Sequence, residues 1–195
     1  MLGRTARGET CTMYGKYGAN DMKRAVLKFT RPQDIMCEAC SDIENFYNSQ
    51  SRTVQEMKER RRAAADTLSM LFGQEAYETQ IYQPWVTFFT DTLYYWFSRG
   101  IQSVIRKDNA DSLQSIDFTI GGHPELGQLQ AYADRRTTAI PALDEYRSMF
   151  LREIEGIAPY AFVCGYEWGY ELLYSSGVIH DKLDWKALYQ LLPLL

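Results

Sequence analysis

The sequence predicts an all-α fold: a single-domain, irregular bundle of about six or seven amphipathic helices, preceded by an extended basic N-terminal arm. Two observations carry this. Apolar residues recur three and four positions apart through most of residues 32–195, which places them on one face of a helix. Proline and glycine punctuate those runs at the starts and stops that helices favour.

The elements follow in order. Residues 1–31 form the arm, rich in Gly and Thr and without periodicity up to Asp21; Asp21–Phe29 reads equally as a short helix or a strand. Pro32 opens the helical domain, residues 32–195, and Ile35, Ala39, Ile43 and Phe46 follow at helical spacing. Thr53-Val54-Gln55-Glu56 has the pattern of a capping box, in which hydroxyl and carboxylate each satisfy an orphan backbone donor. From there Val54, Met57, Arg61, Ala64, Leu68 and Leu71/Phe72 make an inward stripe that stops at Gly73.

Pro84 opens the strongest periodic run, from Trp85 through Phe88, Leu93, Trp96 and Ile101 to Val104/Ile105. Lys107–Gly122 is a long connection with a possible strand at Ile116–Ile120, and connections of this length often bind partners. Pro124 opens a helix carrying Leu126, Leu129, Tyr132 and Ala133. Pro141 opens another, ending at Gly156; Pro159 opens a third, aromatic one, ending at Gly177; and Asp181–Leu192 forms the last.

Composition bounds the function. With 46% apolar and 14% aromatic residues the chain has ample material for a core. A net charge of −4 argues against nucleic acid as the partner. That charge is unevenly spread: residues 1–31 hold seven Lys/Arg against two acids, a net of +5, so residues 32–195 carry −9. Four cysteines, at 11, 37, 40 and 164, are too few for a disulfide scaffold and point to an intracellular, reducing compartment. The first residues have no apolar signal segment; their Arg, Thr and Gly before the first acid, Glu9, instead resemble the start of an organelle transit peptide.

Each candidate for chemistry has a plainer explanation. Cys37 and Cys40 form a CxxC without the second ligand pair zinc needs, two turns inside their helix rather than at its N-terminus. Glu167 and Glu171 share a helix face at i,i+4, as paired acid–base carboxylates would, but a solvated face is the expected role. Gly165 and Gly169 form a GxxxG that lets two helices touch. Gly121-Gly122-His123-Pro124 lacks the Lys and Ser/Thr of a phosphate loop. Gln80–Ser98 is the nearest approach to a membrane segment, but its Gln and Thr residues, Asp91 and Pro84 favour a core helix. The basic run Lys58–Arg62 lacks the aromatics that stack bases.

No catalytic, cofactor-binding or metal-binding residue is therefore assigned. The expectation is a non-catalytic helical accessory or structural subunit of a larger assembly, with a mitochondrial membrane complex as the preferred setting. It would contact other protein subunits, and peripherally membrane or lipid, through its basic arm and apolar C-terminus. The partner-binding candidates are Arg4, Arg7, Lys16, Lys23 and Arg24 in the arm, Trp85 and Trp96 as interface aromatics, and Leu194 and Leu195 at the C-terminus. Two alternatives are a viral or phage structural or host-targeting protein, and an enzyme or small-molecule binder using the carboxylate-bearing helix.

Overall fold

The computed structural model describes residues 52–134 and 140–180, Leu188 and residues 190–192. Within these residues all regular structure is helical, with no strand. In chain order the elements are α1 (Arg52–Phe72), α2 (Gln74–Tyr77), a π-helical turn (Glu78–Tyr82), α3 (Gln83–Arg106), α4 (Ala110–Gln114), a 3₁₀ turn (Ile120–Gly122), α5 (Pro124–Ala133) and α6 (Pro141–Ser175). The expected arm, the helix after Pro32 with Cys37 and Cys40, and nearly all of the last helix lie outside the described residues.

Several expectations shift at the breakers. The helix α1 already includes Arg52, so Thr53 sits inside it, and Glu56 pairs with Arg52 at 2.8 Å instead of closing a capping box. Gly73 does stop α1, at φ +80° and ψ 150°, a region that side-chain-bearing residues scarcely enter. Pro84 does not begin a helix but is carried within one. A proline has no N–H for the carbonyl four residues back and its ring crowds that carbonyl. The π-helical turn Glu78–Tyr82 ends two residues before it, widening the helix where that crowding falls.

Gly156 and Pro159 likewise fail to break α6, which runs for 35 residues. Residues 157–167 are buried without interruption, so the helix is enclosed on every side. Tertiary burial there outweighs the roughly 3 kcal/mol by which an internal proline disfavours a helix. The connection after α3 holds no strand. Lys107 leaves α3 at φ 60°, and Asn109 caps the short α4 by accepting from the Ser112 N–H at 2.9 Å. Ile116–Ile120 is irregular chain leading into the 3₁₀ turn.

The described chain divides into two compact units, with boundaries inside α3 and α6. One takes in residues 93–116 and the described residues from 157 onward. The other takes in 52–92, 117–134 and 140–156.

In the unit containing α1, Trp85, Tyr146 and Phe150 form an aromatic centre, with ring centroids 5.5–6.4 Å apart. Phe88 meets Trp85 edge-on, and Phe89 meets Phe150 in the same way. Val54, Ala64 and Leu68 supply the inward face of α1. Leu71, expected on that stripe, is 60% exposed at its C-terminal edge, two residues before the Gly73 corner; Tyr132 of α5, 59% exposed, also departs from its expected stripe.

In the other unit the glycines set the packing. A Cβ at Gly165 would overlap the Phe97 carbonyl oxygen, and one at Gly169 would lie 3.1 Å from the Ile101 Cα. On the facing helix, a Cβ at Gly100 would lie 2.6 Å from the Tyr166 nitrogen. Partners advance by four on both helices (Phe97 to Gly165, Ile101 to Gly169), so these parts of α3 and α6 run parallel and touch backbone to backbone. The sequence marks Gly165 and Gly169 through their spacing; Gly100, the third member of the contact, has no such signal. At the end of α6, Gly177 adopts φ +75°, and the Val178 N–H reaches back to the Leu173 carbonyl, the helix stop that the sequence predicts.

Candidate functional site

The unit containing α1 holds a buried ionic cluster that the sequence does not announce. Glu153 of α6 is 2% exposed. Its Oε2 lies 3.1 Å from Arg61 Nε and its Oε1 lies 3.5 Å from Lys58 Nζ. Both cations come from the first half of α1, so this carboxylate ties α1 to α6. The Arg61 guanidinium also stacks over the Phe150 ring, 4.6 Å from its centroid. Between Lys58 and Arg61 on α1, Arg60 donates to Glu145, more than two turns before Glu153 on α6, at 2.8 Å. The run Lys58–Arg62 is therefore largely a structural clamp rather than a free basic patch.

Tyr77 and Tyr146 complete the neighbourhood. Burial pushes both phenols above their ordinary range, and the positive charge of Arg61 opposes the shift. Other acids of this unit are similarly engaged. Arg147 pairs with Asp134 and with Asp144, at 3.0 Å for the second. Glu155 accepts from the Ile120 N–H at 3.2 Å, and Asp117 accepts from both the Thr119 N–H and its hydroxyl. Those bonds hold the Asp117 carboxyl below its usual range. The turn at Gly121–Pro124 is thus fixed by its own side chains, with His123 Nε2 2.7 Å from the Asp117 carbonyl.

At the far end of α1 the chemistry reverses. Met70 is 80% exposed and Leu71 60% exposed, immediately before the Gly73 corner. Asp66, Glu75 and Glu78, within eight residues of them in sequence, are also exposed, and among the described residues none of the three forms an ion pair. Between Arg62 and Arg99 the chain contains no Lys, Arg or His. Tyr82, 37% exposed, follows on the π-helical turn.

In the other unit, Glu167 and Glu171 occupy one face of α6, as their spacing requires. They are not on a solvated face: they are 2% and 8% exposed. Helix α6 is enclosed over this stretch, a property that follows from tertiary packing and not from the i,i+4 pattern. Burial raises the Glu171 carboxyl above its ordinary 4.5. A raised folded-state value stabilises the protein at pH below the ordinary value, and that stabilisation is lost as pH rises through the folded value. Glu171→Gln, which cannot ionise, is therefore expected to raise Tm at pH 7 while leaving it nearly unchanged at pH 4; equal shifts at both pH values would contradict this.

The sequence-predicted partner residues fare unevenly. Trp85 and Trp96 are 1% and 0% exposed, so these rings are core and offer no surface to a partner. Arg4, Arg7, Lys16, Lys23, Arg24, Leu194 and Leu195 lie outside the described residues. Met70 and Leu71 were not among the candidates; the mark that could have singled them out is the adjacent apolar pair beside Gly73 in a stretch without cations.

No family model, no curated protein and no solved structure matches this chain. Among the described residues no helix is long and apolar enough to cross a membrane, and no group of His, Cys, Asp or Glu is arranged to hold a metal ion.

Proposed function

We propose that the protein is a non-catalytic helical accessory subunit of a larger assembly. The observation that carries this reading is the α1 corner, where two large apolar side chains stand in solvent at 80% and 60% exposure. A neighbouring subunit that covers them gains roughly 1.5–3 kcal/mol for each such side chain fully removed from water. The arm's +5 charge and the apolar Leu191–Leu195 end supply further contact material. The transit-like composition of the first residues favours a mitochondrial membrane complex as the setting.

Sedimentation of the protein in an extract of its native source tests this. The expected result is a particle far larger than 22.6 kDa, from which Met70→Ser/Leu71→Ser releases the chain. Sedimentation of the unaltered protein as a 22.6 kDa monomer would overturn the proposal.

A second reading, a small-molecule binder or enzyme, draws on the burial of Glu167 and Glu171. It requires a small ligand whose stabilising effect on the protein is lost in Glu171→Gln.

A further inference from the structure

We infer that the outer face of α6 near its C-terminal end binds an organic ammonium group, held by the Glu171 carboxylate and the Tyr174 ring. This rests on the small-molecule reading above and names its ligand class. Glu167, Tyr170, Glu171 and Tyr174 recur three and four residues apart, which sets them on one face of the helix. Glu167 and Glu171 each stand two residues past a glycine that touches α3, about 200° around the helix, so this face is turned away from that contact. It opens toward the helix end: Glu167 is 2%, Glu171 8% and Tyr174 47% exposed. The Tyr170 and Tyr174 rings stack there, with centroids 5.6 Å apart and planes 17° from parallel.

Among the described residues every other carboxylate withdrawn from solvent is engaged. Glu153 meets Lys58 and Arg61, Glu145 meets Arg60, Asp134 meets Arg147 and Asp108 meets Arg106. Glu155 accepts from the Ile120 N–H, and Glu167 is likewise engaged. Glu171, more than nine-tenths buried, has neither a hydrogen bond nor an ion pair among these residues. Burial raises its carboxyl, and no cation opposes that shift. A carboxylate so placed loses hydration that only a donor or a cation restores. A metal ion calls for several further ligands, and among the described residues no group of three or more His, Cys, Asp or Glu is arranged to supply them. An ammonium group needs fewer. Its N–H groups donate to the one carboxylate, and the face of the Tyr174 ring turned away from Tyr170 attracts the remaining charge.

Calorimetric titration of the full chain with butylammonium chloride tests this, with butanol as the neutral probe of the same stem and sodium chloride to match ionic strength. Butylammonium is expected to bind saturably and butanol not. Glu171→Gln, which keeps the side-chain shape, is expected to weaken butylammonium at least about tenfold. Tyr174→Leu should weaken it about two- to fivefold, while Tyr174→Phe keeps the ring and most of the affinity. Glu125→Gln, an exposed acid of the other unit, should change nothing. Because Glu171→Gln is expected to stabilise the fold at pH 7, a lost heat of binding in that variant does not reflect unfolding. Nα-acetyl-lysine methylamide carries the same ammonium on the same stem and separates two sources of the group. Binding tighter than that of butylammonium, and still lost in Glu171→Gln, supports the inference with a lysine side chain of a polypeptide as the source; weaker binding supports it with a free amine. Absence of saturable binding by both ammonium probes overturns the inference, as does butylammonium binding that Glu171→Gln leaves unchanged. If butanol, and not butylammonium, raises the Tm of the unaltered chain but not that of Glu171→Gln, the small-molecule reading stands and the ammonium group falls.

Discussion

Gly165→Ala is expected to lower stability by at least about 3 kcal/mol, the upper end of what overpacking a core costs. The added methyl would overlap the Phe97 carbonyl oxygen and lie 2.7 Å from its carbonyl carbon. These are backbone atoms, so no rotamer change can make room; the parallel segments of α3 and α6 would have to separate. In a chain of 195 residues that loss corresponds to a fall in Tm of roughly 6–12 °C. Gly127→Ala on α5 is the matched comparison. A Cβ there meets nothing within 4 Å, so helix propensity alone acts and the substitution is expected to stabilise by about 0.5–1 kcal/mol. Thermal unfolding of both variants, followed by circular dichroism, separates steric contact from propensity. A Gly165→Ala protein as stable as the unaltered chain would mean that the two helices do not meet backbone to backbone.

These two glycines show how far the sequence could be read. The GxxxG spacing of Gly165 and Gly169 points to a close helix approach, and the 3.6-residue pattern from Trp85 to Val104 locates the strongest amphipathic run. Periodicity is a property of one segment, so it survives whatever packs against it. What it could not show was how much of a helix would be enclosed. Pro159 reads as a start and Gly156 as a stop when only neighbours in sequence are weighed, yet burial on every side of residues 157–167 carries the helix through both. The same enclosure turns Glu167 and Glu171 from an expected solvated face into buried groups. Trp85 and Trp96 were legible as large apolar anchors but not as core or interface, since the same ring serves both. Leu71 illustrates the opposite error: it fits the helical pattern, but its place at the edge of the stripe, two residues before the chain turns, leaves it in solvent.

Glu153 was invisible for a different reason: its partners are some ninety residues away in sequence, and nothing in a local pattern selects one carboxylate on α6 to meet Lys58 and Arg61. Glu153→Ala is expected to destabilise by about 3 kcal/mol, toward the lower end for breaking a buried pair because Lys58 and Arg61 remain 21% and 24% exposed and can reach water. Arg61→Ala removes the 3.1 Å contact and the stacking over Phe150, leaving a carboxylate at 2% exposure with only Lys58 at 3.5 Å; a cost of about 3–5 kcal/mol follows. The two losses should not add. Once the carboxylate is gone, Arg61 has no buried charge to neutralise, so Glu153→Ala/Arg61→Ala is expected to cost less than the sum of the two single changes, the cycle returning a coupling of about 1–3 kcal/mol. Urea unfolding of the set measures it. Strict additivity would show that the clamp between α1 and α6 is held by the aromatic centre around Trp85 and not by charge.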